Sequence, residues 1–255
     1  HRIVQIKTNT VAETLAAYGE LQNLTGLEGV KKDIENIKNF ITYQRTTKNQ
    51  TSANLKKLKL HMLFTGNPGT GKTMIAMRLG EIFKNFGILS KGSITVAGRN
   101  HLIGGYIGQT AIKTAKLIED ARGGILFIDE AYSLYRTGSD IDYGVEALEV
   151  ILKEMSDGPG DLVIIAAGYP NAMETFLKAN QGLASRFKFT INFPDFTPDE
   201  LIKIAKKRAK KKGLLIGSEA MEYLTEKTEE AYKNRKDSFG NARYINTIID
   251  KAEFN

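Results

Sequence analysis

Apolar residues along the chain keep switching between two rhythms, and the switches mark its elements. Residues 11–21 (VAETLAAYGEL) read as a short helix or an ordered linker. From Thr25 to Thr47, Val30, Ile34, Ile37 and Ile41 recur at helical period, and Thr25 and Glu28 stand at capping-box spacing. Residues 48–57 are polar and read as a loop, and 58–66 (LKLHMLFTG) as a strand ending in glycine. Residues 72–87 predict an amphipathic helix, 92–98 a second strand and 111–123 a further helix. The run 124–131 (GILFIDEA) stays apolar until two acids end it, the pattern of a strand buried on both faces. A helix over 143–158, a buried strand over 161–168, a helix over 171–180 and a strand over 188–194 follow. Such alternation predicts an α/β fold with a mostly parallel sheet. Beyond Pro194 the strands stop. Thr197 as N-cap, Pro198 at N1 and Glu200 at N3 open the first of several helices. The expected layout is a linker or helix over 1–22, an α/β domain over 23–194 and a small all-helical domain over 195–255.

Composition narrows the function classes. The 255 residues include no cysteine, which removes disulfides and thiolate metal sites and fits a reducing compartment such as the cytoplasm. His1, His61 and His101 show no metal-ligand spacing. No apolar run reaches membrane-spanning length and no secretory signal is visible. The chain opens on His1, so it reads as a fragment or a trimmed chain. A formal charge of +7 favours anionic partners, and equally describes a modestly basic soluble protein.

Two motifs carry chemistry. Residues 66–73 (GNPGTGKT) satisfy G-x-x-x-x-G-K-[ST] between a strand and a helix. Through Asn67, Pro68, Gly69, Thr70 and Gly71 the backbone curls so that its N–H groups point inward at phosphate oxygens. Lys72 would reach the β- and γ-phosphates, the Thr73 hydroxyl would ligate Mg²⁺, and the helix start adds its positive end. At the end of the apolar run, Asp129 would hold Mg²⁺ directly or through water, and Glu130 would polarise an attacking water. Acids that merely end a strand in solvent are the plain alternative, which the upstream phosphate loop disfavours.

With the helical tail and the segments GLASRF and GNAR, these motifs resemble an AAA+ ATPase. The segments HMLFTGNPGTGKT, FIDEAYSLYR and AGYPNAMETFLKANQGLASRF resemble the branch containing red-type rubisco activase, the sporulation stage V protein K and the type VII secretion ATPases. The resemblance covers about residues 20–255 and implies ATP and Mg²⁺ as cofactors. It also implies a homo-hexameric ring with each ATP between two subunits. It puts Leu24, Gly26 and Leu27 near the adenine, although the same stretch is also a helix start. Arg186 resembles an arginine finger offered in trans, and Arg243 the second sensor arginine of the lid. Ordinary surface arginines are the plain alternatives. The polar residue that many relatives carry after the fourth strand is absent. Gly168, Tyr169 and Pro170 stand there with Asn171 beyond, leaving Tyr169 or Asn171 as the first sensor.

Residues 102–114 (LIGGYIGQTAIKT) then read as a first pore loop, with Tyr106, Ile107 and Gly108 engaging a client and 135–144 forming a second loop. A glycine-flanked aromatic grips without needing a specific partner. A tyrosine folded onto the core is the plain alternative. The function expected is an ATP-driven remodeller of a protein client. The alternative is a nucleic-acid-linked ATPase of clamp-loader or helicase type, suggested by the net charge and by the basic run 203–212. No aromatic residue interleaves that run and residues 103–109 carry no Lys or Arg, which argues against nucleic acid. A third class, an ATP-binding switch without turnover, conflicts with the Asp129–Glu130 pair. Within the remodellers, 133–144 departs from the activase pattern, which ranks that client below a generic one.

Overall fold

Five short apolar runs pair into a single parallel sheet. Strands β1 (Met62–Gly66), β2 (Ile94–Ala97), β3 (Ile125–Ile128), β4 (Val163–Gly168) and β5 (Phe189–Phe193) lie in the order β2-β3-β4-β1-β5. Their register sets Met62 opposite Ile165 and Phe189, and Ile125 opposite Ile94 and Val163. The computed structural model describes residues 17–47, 52–106, 108–135, 143–179, 181–236 and 238–253. Strands β3 and β4 are buried at every position because helices cover both faces.

Pleating divides the strand residues between two cores. Phe64, Phe127, Ile165 and Phe193 face one, under helices α1 (17–22), α2 (Glu28–Thr47) and α4 (Lys72–Asn85). Leu63, Leu126, Ile128 and Ile164 face the other, with α6 (Gln109–Asp120), α7 (Tyr143–Asp157) and α8 (Pro170–Ala179). Phe64 packs on Phe193 with ring centres 4.9 Å apart. Each such fully buried ring contributes about 1.5–3 kcal/mol. Short helices fill the joints: α3 (Ser52–Leu55), α5 (Arg99–Leu102) and α9 (Gln181–Ala184).

Three helices form the lid after β5: α10 (Pro198–Lys211), α11 (Ser218–Lys233) and α12 (Ala242–Glu253). The expected capping box opens α10. The Glu200 N–H donates to Thr197 Oγ1 at 3.3 Å, and the Thr197 N–H to Glu200 Oε2 at 2.8 Å. The box expected at Thr25 and Glu28 does not form. Helix α2 starts only at Glu28, after Leu27 turns to φ +61, and Glu28 instead accepts from Lys31 at 2.8 Å. The strands are shorter than their apolar runs, since Leu60 and His61 are buried in the approach to β1. Helices α5 and α9 were not expected, being single turns without a readable period.

Candidate active site

The glycine-rich turn after β1 leads directly into α4. Gly71, at φ +97, precedes the helix, so the first N–H groups of α4 have no helical acceptor and face the cleft. Thr70 is buried and its hydroxyl donates to the Asn67 carbonyl at 2.8 Å, which holds the turn in shape. Lys72 Nζ donates to the carbonyls of Gly66 and Asn67, both at 2.8 Å. Burial lowers the pKa of this ammonium; Asp129 opposes that shift and Arg243 adds to it. The three groups are therefore in electrostatic reach of one another, and an arriving polyphosphate stabilises the buried cation.

A cleft of about 530 Å³ joins the parts. Leu24, Thr25 and Leu27 line it, as do Gly66, Pro68, Gly69, Gly71, Lys72 and Thr73 from the turn, Asp129 and Glu130 from the end of β3, and Arg243 from α12. Gly26 does not line it; at φ +65 a side chain there would be strained and would displace the Glu200 carboxylate. Tyr169 lines the cleft, whereas Asn171 lies beyond it in the first turn of α8.

Strain gathers here. Four described non-glycine residues have positive φ, and Leu27, Glu130 and Asn241 of them sit in or beside the cleft. Glu130, at φ +49, starts a 3₁₀ turn over Ala131–Leu134, and its N–H donates to Asp129 Oδ1 at 3.0 Å. This turn leaves both carboxyl groups exposed to the cleft. The Tyr132 phenol lies within electrostatic reach of Glu130. Burial first, then the Glu130 charge, pushes that phenol up to about 12. Its ring stands 5.9 Å from that of Tyr169. Tyr132 was not foreseen; its position two residues after Glu130 was the only signal.

Arg186 is absent from its own chain's cleft. It follows α9 and precedes β5, where the Lys188 N–H donates to the carbonyl of His61 ahead of β1. That is the amino-terminal edge of the sheet, a strand length of roughly 16 Å from the glycine turn. Its guanidinium donates to Ser156 Oγ at 2.6 Å and to the Gly182 carbonyl at 2.7 Å.

Tyr106 is 74 % exposed. Its loop is fastened at the base. The Gly104 N–H donates to Thr110 Oγ1 at 3.0 Å, and Lys113 Nζ to the carbonyls of Asn100 and Ile103 at 2.7 and 2.8 Å. Gly108, at φ +79, caps α6. A second hollow, about 830 Å³, runs from Asp129 and Glu130 past Arg99 to Gly104 and Gly105. Ile107, most of the expected second loop (136–142) and the start of the first expected helix (11–16) lie outside the described residues. The basic run is partly engaged by contacts within the chain. Lys207 donates to the Asn23 carbonyl at 3.1 Å and borders the cleft, and Arg208 and Lys212 both bind Asp250.

Among the lining groups, the Thr73 hydroxyl and the strand-end carboxylates suit Mg²⁺, and no cluster of three or more metal-binding side chains exists among the described residues. That sparse set fits an ion completed by phosphate oxygens and water, and does not fit an all-protein metal cage.

Comparison with known proteins agrees. The family model described as "ATPase family associated with various cellular activities (AAA)" matches residues 62–195, and an AAA lid model matches 197–255. The chain is 42% identical over 231 residues to the CfxQ homolog of Pyropia yezoensis, covering 91% of this chain and 76% of that protein. It is 39% identical over 235 residues to a chloroplastic ribulose bisphosphate carboxylase/oxygenase activase of Cyanidioschyzon merolae, covering 91% and 78%. Stage V sporulation protein K of Bacillus subtilis is 40% identical over 239 residues, covering 91% and 72%. Among solved structures, a RuvB mutant of Thermotoga maritima superposes with a TM-score of 0.59 at 20% identity, over 92% of this chain and 64% of that longer one. The glycine-rich turn after β1, the two acids after β3 on the far side of β4, and the helices after β5 agree with these matches: the chain belongs to the AAA family of ATPases, in the branch that holds CfxQ, rubisco activase and stage V sporulation protein K.

Proposed function

We propose that this chain is the subunit of a ring-shaped, Mg²⁺-dependent ATPase, of six copies, that remodels a protein client. The carrying observation is the exposed Tyr106 on a fastened glycine loop, joined by a continuous hollow to Glu130.

The residues divide the work. Backbone N–H groups from Gly69 to Thr73 and the Lys72 ammonium would hold the phosphates, with Leu24, Gly26 and Leu27 beside the base. Thr73 and Asp129 would hold Mg²⁺, which when bound neutralises charge developing on the phosphates. Glu130 takes the proton of the attacking water, and Tyr132 and Tyr169 orient it from the side. Arg243 reads the terminal phosphate from the lid. The place of Arg186 at the far edge of the sheet supports its action on a neighbour's ATP. A relative named as an activase of a carboxylase acts, by that name, on a protein, which supports a protein client over nucleic acid.

The test is capture. A Glu130→Gln ring loaded with ATP should retain a protein from a lysate of the source cells, and Tyr106→Ala in that background should lose it while still binding ATP. Equal retention by both chains, or salt-sensitive retention of DNA in place of protein, would refute the proposal.

A further inference from the structure

Asn241 is fully buried at φ +48, directly before the lid helix α12. Such a residue normally caps its helix by accepting a backbone N–H from the first turn. Here the Arg243 and Tyr244 N–H groups donate to the Gly240 carbonyl, at 2.9 and 3.3 Å, and the Asn241 side chain turns away from the helix. Its Nδ2 lies 2.7 Å from Asp195 Oδ1, 3.1 Å from the Phe239 carbonyl and 3.3 Å from the Pro68 carbonyl. Its Oδ1 accepts the Phe196 N–H at 2.9 Å. One side chain thus touches the phosphate loop, the joint between sheet and lid, and the turn into α12.

Asp195 collects the other ends. Its Oδ1 also accepts from Asn67 Nδ2 of the phosphate loop at 3.0 Å, and its Oδ2 pairs with Arg235 Nε of the lid at 3.4 Å. Backbone seals the same contact. The Ala242 N–H donates to the Gly69 carbonyl at 3.3 Å, and Gly69, at φ +73, has no room for a side chain against the Gly240 carbonyl. Arg243 stands two residues along. Its guanidinium has no hydrogen bond or ion pair within the described residues. The backbone held by Asn241 sets the point from which its side chain reaches into the cleft.

We infer that Asn241, locked to Asp195, is a positioning residue that ties the shape of the phosphate loop to the reach of Arg243. The inference rests on the ATP site proposed above and adds the path by which occupancy of the loop is felt in the lid. A movement of Pro68 or Asn67 on phosphate binding shifts the acceptors that fix Asn241, and Arg243 moves with it.

The test is a double-mutant cycle in a Glu130→Gln chain, reading ATP and ADP affinity by calorimetry and the melting temperature of each variant. Asn241→Gly deletes the side chain yet suits φ +48. Arg243→Ala should cut the preference for ATP over ADP by about tenfold, the worth of one charged hydrogen bond. Asn241→Gly should cut it similarly, and the double variant no further. If Asn241→Gly lowers the melting temperature while the ATP-to-ADP preference holds, or if the two losses add, the residue is only structural and the inference falls. If Arg243→Ala leaves the preference unchanged, the role of Arg243 falls first and this inference with it.

Discussion

The two edges of the one sheet are built on opposite plans. At the carboxy-terminal edge polar groups face the cleft with few partners among the described residues: helix-start N–H groups, the exposed carboxylates of Asp129 and Glu130, and the guanidinium of Arg243. At the amino-terminal edge most are paired, the buried His61 Nε2 being an exception. Lys59 Nζ donates to the Gly158 carbonyl at 2.7 Å, and Arg122 pairs with Glu154 at 3.0 Å and Glu119 at 2.7 Å. Asp161 accepts from the Ser90 N–H at 2.8 Å, and buried His61 accepts from the Ile164 N–H at 3.0 Å. The same strands serve both edges, so the contrast lies in the turns. A polar group without a partner costs stability, and, His61 Nε2 apart, these groups gather at the edge where a ligand can supply the partner.

Substitutions at the open edge should therefore damage turnover, and those at the closed edge stability. The largest effect expected is Glu130→Gln, with kcat reduced about 10³-fold and the melting temperature unchanged. Turnover within a few fold of the parent would remove Glu130 as the base. Next is a pH effect at the closed edge. Burial, reinforced by Lys59, pushes the His61 imidazole down to about 4 from 6.5. The unfolded chain binds the extra proton between those values. His61 thus contributes fully above about pH 6.5, and about 3 kcal/mol is lost as the pH falls to 4. Urea unfolding at stepped pH should show His61→Gln with a shallower loss than the parent; parallel curves would clear His61 of that role. The smallest is Arg122→Met, which strands the half-buried Glu154 and should cost about 2 kcal/mol in urea while ATP affinity stays put. A change in affinity there would break the division between the edges.

What could be read from the chain beforehand follows the range of each interaction. The phosphate loop and the acidic strand end were legible because their chemistry is local: residues 66–73 fold into a cradle by their own backbone needs. The strands were legible from burial on both faces, though their ends were overrun, since buried Leu60 and His61 look like strand without pairing as one. The Asn241 cluster was not legible. Its partners Pro68 and Asp195 lie 173 and 46 positions away, and no spacing rule anticipates them. Lys207 misled for a related reason. It read as solvated face and is exposed, yet it also donates to the Asn23 carbonyl 184 positions away, which no spacing anticipates.

The fastening beneath Tyr106 also has a mechanical meaning. Thr110 and Lys113, at the start of α6, hold Gly104, Asn100 and Ile103, so the chain leaving α5 is tied to α6 just before Tyr106. A long disordered tether would behave as an entropic spring and dissipate a displacement of a few ångströms as chain extension. If Tyr106 engages a client as proposed, a pull on it would reach α5 and α6 through these ties as torque.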